Sequence, residues 1–256
     1  MKSPRVYRTE AIVLKGYNYG EADRILTLLT PHAGKLRAVA KGVRKTKSRM
    51  SGHVDLFTRS SLLVARGRQL DIVTQAETVE IFRAIREDLW RTSYAHYVAE
   101  LLDAFSAEAL PNYPVYALAV DTLRRLSGAT QLDLAVRAFE LQLLSLNGYR
   151  PQLHRCLHCD ATIQAQINRF SAHMGGVLCP DCSALDKAAT PISVSALKVL
   201  RNLQTNEDAV VGLPALDGEV RREVENRLGE YIAFRLESRP RSLGFLERLR
   251  AESTGS

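Results

Sequence analysis

The chain is poor in the features that mark membrane proteins, secreted proteins and most enzymes. No apolar run approaches the ~18 to 20 residues of a transmembrane helix, and Met1-Lys2-Ser3-Pro4-Arg5 lacks the apolar block of a signal peptide. The expectation is a cytoplasmic protein with no membrane partner. There is no Gly-x-x-x-x-Gly-Lys-Ser/Thr phosphate loop, no Gly-x-Gly-x-x-Gly, no Gly-x-Ser-x-Gly and no His-Glu-x-x-His. Tryptophan occurs once, at Trp90, where the reading is a packing anchor. Internal repeats and low-complexity segments are also missing. Scattered acids such as Glu21, Asp23, Glu87 and Asp88 read as solvated surface or ion-pair partners, because nothing near them completes a catalytic constellation. The expectation is that the protein is not an enzyme.

Positive charge is present, and it is unevenly placed. Over 256 residues the net charge is +7. Residues 1–80 hold 15 Lys+Arg against 7 Asp+Glu, a net +8, and the remainder holds 20 against 21. An excess confined to one segment points to a polyanion-binding module on a neutral scaffold, with nucleic acid as the leading partner. The densest stretch is Lys41-Gly42-Val43-Arg44-Lys45-Thr46-Lys47-Ser48-Arg49, five cations in nine residues without an acid. It follows Lys35 to Ala40, whose alternation of charged and apolar residues, Arg37 included, is that of a half-buried strand.

Short strand patterns fill the first third: Val6 to Lys15, Arg24 to Thr30, Lys35 to Ala40, Val54 to Arg66 and Leu70 to Ala76. Five strands in about 75 residues suit a closed barrel of the oligonucleotide-binding (OB) type, with an SH3-like barrel or open sheet as alternatives. Past Glu80 the period lengthens. Tyr94 to Phe105, Val115 to Leu126 and Leu132 to Leu146 each carry an apolar stripe, the last stopping at Asn147-Gly148. Helical pattern returns at Val194 to Leu203 and at Val220 to Ile232, the latter capped by Asp217, with a break at Leu213-Pro214-Ala215 between them. Arg248 to Ser256 reads as a fraying polar end. The expected fold class is α+β and multidomain: an OB-fold nucleic-acid-binding domain at 1–80, a helical domain from 81–150 and 190–250, and an inserted metal-binding module at 151–189.

That module carries all four cysteines, as Cys156-Leu157-His158-Cys159, nineteen intervening residues, and Cys179-Pro180-Asp181-Cys182. Two Cys-x-x-Cys knuckles complete one tetrahedral structural zinc site, with Ile167–Ser171 and Met174–Leu178 as the hairpin of a zinc ribbon. Four thiolates fill the coordination sphere and leave no open position to activate water. His154, His158 and His173 are alternative ligands. The zinc-deaminase pattern fails, since Leu178 stands where its proline belongs and no His-x-Glu occurs.

The order of parts resembles the RecO family of bacterial recombination mediators. The resemblance rests on Ala11-Ile12-Val13-Leu14, Tyr19-Gly20-Glu21-Ala22-Asp23-Arg24-Ile25-Leu26, Gly34-Lys35-Leu36, Ala40 to Lys45 and Ser48-Arg49. Later, Leu146-Asn147-Gly148-Tyr149-Arg150-Pro151-Gln152-Leu153 runs into the knuckles. It implies a protein that binds single- and double-stranded DNA, anneals complementary strands and helps load the recombinase onto coated single strands. The implied partners are RecR and the acidic C-terminal tail of the single-stranded-DNA-binding protein. It further implies a cytoplasmic protein that joins the nucleoid during repair. Expected site residues are Lys35, Arg37, Lys41, Arg44, Lys45, Lys47 and Arg49 for nucleic acid, and Cys156, Cys159, Cys179 and Cys182 for one structural zinc ion. Tyr17, Tyr19 and Phe57 are candidate stacking residues. The alternatives are a zinc-containing sequence-specific DNA-binding regulator and a nuclease.

Overall fold

The computed structural model describes residues 5–205 and 216–254. The expected break at Leu213-Pro214-Ala215 lies outside them. Five strands close a barrel: β1 (Val6–Tyr19), β2 (Asp23–Thr30), β3 (Gly34–Ala40), β4 (Arg59–Ala65) and β5 (Asp71–Glu80). Their order around the barrel is β1-β2-β3-β5-β4, antiparallel except where β3 runs parallel to β5. This is the OB topology. β1 reaches 14 residues because it serves two neighbours: Val6–Ile12 pair with β4, Ile12–Tyr19 with β2, and a bulge at Val13/Lys15 bends the strand between them. Alternation sends Ala11, Val13, Leu26, Leu28, Ala38, Ala40, Leu62, Val64 and Val73 inward as one dry core.

The run Val54 to Arg66 is not one strand. Ser51–Val54 is a 3-10 turn, Phe57 takes φ +61°, and pairing starts only at Arg59. The chain must turn here to enter the barrel antiparallel to β1.

Two compact units divide the chain, one of Met1–Ala129 with Gly244–Ser256, the other of Thr130–Leu243. The first holds the barrel, α1 (Arg83–Glu87), α2 (Leu89–Phe105) and α3 (Tyr113–Gly128). Asp88 caps α2 by accepting from the Arg91 backbone N–H at 2.8 Å, and Asn112 caps α3 through the Val115 N–H at 3.2 Å. Trp90 packs beside Tyr94 with ring centres 6.5 Å apart. The second unit holds α4 (Leu132–Leu146), which ends at Gly148 with φ +80°, and then a sheet of β6 (Asn168–Ser171), β7 (Gly176–Leu178) and β8 (Thr190–Ile192). α5 (Val194–Thr205) and α6 (Gly218–Leu236) follow, with Asp217 capping α6 by accepting from the Glu219 N–H. Of the terminal segment expected to fray, the described residues 248–254 are helical. They belong to α7 (Arg241–Thr254), which buries Leu246 and lets Arg250 donate to Tyr94 Oη at 2.9 Å. Among the described residues no helix is long and apolar enough to cross a membrane.

Candidate nucleic-acid interface and metal centre

The strand registers decide which loops share an end of the barrel. Ala40, the last residue of β3, pairs with Arg24 near the start of β2 and with Val73 near the start of β5. Ala65, the last of β4, pairs with Val6 and Ile72. The basic stretch 41–49, the β1–β2 turn at 20–22, the β4–β5 loop at 66–70 and Arg5 therefore leave from one end. The Arg66 N–H, donating to the Arg5 carbonyl at 3.0 Å, ties two of them together. OB barrels use such loops for oligonucleotides.

The basic stretch is a pinned turn. Val43 is 2 % exposed and sits in the barrel core. Gly42 takes φ +64°, a conformation that disfavours other residues, and its N–H donates to Asp23 Oδ1 at 2.8 Å. The Arg44 N–H donates to the Ala22 carbonyl at 2.9 Å, and its guanidinium reaches the Gly20 and Glu21 carbonyls. With the backbone held, Lys41, Lys45, Lys47 and Arg49 all point to solvent, and none forms an ion pair with a described residue.

The two strand cations behave differently. Lys35 is drawn inward, its ammonium 3.0 Å from Asp103 on α2, and its side chain is 13 % exposed. Asp103 also holds Lys15 at 2.6 Å. Burial opposes charging Asp103, but Lys15 and Lys35 outweigh it and hold the carboxyl below the usual range. Arg37 is exposed, donates to Tyr17 Oη and lies over that ring at 6.0 Å. Tyr17 and Tyr19 are 45 % and 57 % exposed, whereas Phe57 is buried. Arg66 and Arg68, which sequence reading passed over, are exposed on the 66–70 loop, with Arg66 over the Tyr7 ring at 5.0 Å. Only closure of the barrel brings them to the same end as residue 41.

In the second unit all four cysteine sulfurs lie within 4.8 Å of one another. The first knuckle closes through the Asp160 N–H to the Cys156 carbonyl at 3.1 Å, with Asp160 at φ +58°. Aspartate tolerates that left-handed position, and its carboxylate also takes both nitrogens of Arg155 at 2.6 Å. The second knuckle closes through the Cys182 N–H to the Cys179 carbonyl at 3.1 Å. β6 and β7 form the expected hairpin, and β8 adds a third strand that sequence reading did not resolve. Phe170 meets the Tyr231 ring edge-on at 5.9 Å.

These sulfurs fit a tetrahedral cation. Zinc–sulfur bonds of ~2.3 Å give sulfur–sulfur edges of ~3.8 Å, and Cys159 and Cys179 stand 3.8 Å apart. Burial pushes the Cys156 thiol up, but backbone N–H groups of Cys179, Cys159 and His158 bring it down to about 6. Desolvation and the neighbouring sulfurs push Cys182 up to about 12. His154, His158 and His173 stand outside it, and His173 packs edge-on against Phe234 at 5.4 Å. Among the described residues no carboxylate cluster of three or more joins this group as a candidate metal site.

An OB barrel with a basic end, attached helices and a four-thiol module describe a multidomain protein built on an oligonucleotide-binding type of fold. Comparison with known sequences agrees. The family model described as "Recombination protein O N terminal" matches residues 1–82, and "Recombination protein O C terminal" matches residues 86–244. A "DNA repair protein RecO" of Roseiflexus sp. is 45% identical over 246 residues, covering 96% of this chain and 87% of its own. Those of Dehalococcoides mccartyi and Pelotomaculum thermopropionicum are each 40% identical, over 97% and 98% of this chain and 98% of their own. The chain belongs to the RecO family of DNA repair proteins.

Proposed function

We propose that this chain binds single- and double-stranded DNA through the basic end of its barrel and anneals complementary strands. With RecR, it helps load the recombinase onto DNA coated by single-stranded-DNA-binding protein, whose acidic tail is a further partner. The observation that carries the reading is the solvent-facing set Lys41, Lys45, Lys47 and Arg49 on a backbone pinned by Val43 and Asp23. Arg37, Arg44, Arg66 and Arg68 extend it, while Lys35 joins the barrel to α2 beneath it. Cations held in place neutralise two phosphate backbones at once and lower the repulsion between complementary strands, so annealing needs no covalent step.

In the same reading Cys156, Cys159, Cys179 and Cys182 hold one structural zinc ion. The ion would offset the charge of four thiolates and tie together two knuckles that also meet through the Cys179 N–H donating to Cys156 Sγ at 3.4 Å. An annealing assay with two complementary oligonucleotides, run with and without single-stranded-DNA-binding protein, tests the reading. The parent chain should accelerate annealing of both naked and coated strands. The variant Arg44→Glu/Lys45→Glu/Lys47→Glu should lose most of that acceleration. Equal acceleration by the variant removes the basic end from the mechanism.

A further inference from the structure

A cleft of about 620 Å³ opens in the first unit, within the ~300–1,000 Å³ range of small-ligand sites. β1 contributes Tyr17 and Asn18, β2 contributes Arg24, the turn before β4 contributes Asp55, α1 contributes Arg86, and α2 contributes His96. Asp55 accepts from Arg24 at 3.3 Å and faces Arg86 at 3.8 Å. Two guanidinium groups against one carboxylate leave a net positive charge in the cleft. Arg86 is aimed by hydrogen bonds to the Leu56 carbonyl and to Thr58 Oγ1. Arg24 has five donors, of which Asp55 takes one among the described residues.

Flat surfaces accompany the charge. Tyr17 is 45 % exposed. The His96 ring stands edge-on to Phe57 at 5.0 Å, and burial holds its pKa below the usual value. Phe57 takes a left-handed backbone with a bulky side chain. The Val13 carbonyl accepts its N–H at 2.9 Å, and the Val13 N–H returns to the Thr58 carbonyl at 3.2 Å. Such conformations in residues with side chains gather at ligand sites. Gly16 also fits the pattern, since a Cβ there would stand 3.1 Å from Arg24 Cδ and crowd that side chain.

We propose that this cleft binds one nucleotide unit, with its base against Tyr17 and His96 and its phosphate against Arg24 and Arg86. The unit comes from a free nucleotide or from a strand with one base turned out. The strand source rests on the DNA binding proposed above, and the free-nucleotide source does not.

The test titrates the full chain with dAMP, deoxyadenosine and inorganic phosphate, followed by calorimetry and by the His96 ring signals. dAMP should bind at least about tenfold tighter than either fragment, since ring contact and charge act together. Asp55→Asn, which removes the competing carboxylate, should tighten dAMP by about threefold or more. Asn18→Trp, which fills the cleft and leaves every charge in place, should weaken it by about tenfold or more. The variant Lys45→Glu/Lys47→Glu, which leaves the Arg44 bonds to the 20–22 turn intact, should bind dAMP within about threefold of the parent. If it also binds oligonucleotides like the parent, the basic-end reading fails while the cleft stands. A thymidine strand carrying one 2-aminopurine then separates the sources. A fluorescence change that Asn18→Trp abolishes assigns the strand, and no change, or one that survives Asn18→Trp, assigns the free nucleotide. The proposal is overturned if dAMP binds no tighter than its fragments, or if Asn18→Trp binds dAMP as the parent does.

Discussion

At the basic end of the barrel, Lys41, Lys45, Lys47 and Arg49 carry like charges on a backbone fixed by an apolar plug and hydrogen bonds. In the cysteine module, four thiols that repel as anions are crowded within 4.8 Å, on two knuckle turns beside strands of only three and four residues. The barrel can tolerate its repulsion because its core holds without a ligand, and the excess charge faces water. On the proposed reading the module is completed by a cation, whose charge offsets that of the four thiolates. On that reading the difference separates two uses of charge: in the first the ligand is a partner, and in the second it is part of the fold.

The largest expected effect breaks the second region alone. Removing the metal with a chelator, or Cys179→Ala, should cost several kcal/mol of fold in the second unit and lower its melting transition by ~10 °C or more. Calorimetry should show that loss while the barrel keeps its DNA affinity within about twofold. A variant that stays fully folded yet loses function would assign the metal a direct role.

Next in size is the reverse experiment. Arg44→Glu/Lys45→Glu/Lys47→Glu should weaken DNA binding by about 10- to 100-fold at moderate salt, equally for all sequences. Its melting temperature should fall by only ~2–5 °C, the loss coming from the Arg44 bonds to the Gly20 and Glu21 carbonyls, because all three side chains are exposed.

Val43→Ala sharpens the claim that the basic stretch is pinned. Truncating a buried valine should cost ~1–2 kcal/mol of barrel stability, and DNA binding should weaken although no cation is lost. Unchanged binding together with lowered stability would mean that the anchor does not orient the cations.

The smallest effect concerns Asp103. Its pKa in the folded protein lies below the ordinary 3.8, so its stabilising contribution is fully present above that value and is lost as pH falls through the lowered one. Hydrogen bonds to charged groups, discounted for partial exposure, put the loss at ~1 kcal/mol. Acid unfolding curves of the parent should shift to higher pH in Lys15→Met. An unshifted curve would make the Lys15–Asp103 contact energetically silent.

Much of this was legible in the sequence, for identifiable reasons. Period-two alternation marks the strands because one face of each is dry, and the cysteine spacing is legible because two knuckles impose it. What escaped depends on contacts distant along the chain. Lys35 reads as a free strand cation, and only its packing against Asp103, 68 residues away, turns it inward. Arg66 and Arg68 look isolated until closure places their loop at the same end as Lys41. Val43 resembles an incidental apolar residue in a basic run, yet it is the anchor. β8 is three residues with Pro191 at its centre, too short and too irregular to leave a pattern.

The most direct measurement is the slope of log affinity against log salt for a single-stranded oligonucleotide, for the parent, the basic-end triple variant and metal-depleted protein. The triple variant should flatten the slope by about 2, roughly 0.7 per lost phosphate contact on a single strand. Metal depletion should leave it unchanged. A slope that stays the same in the triple variant, or collapses on metal removal, would contradict the assignment of DNA contact to the barrel and of structural support to the cysteine module.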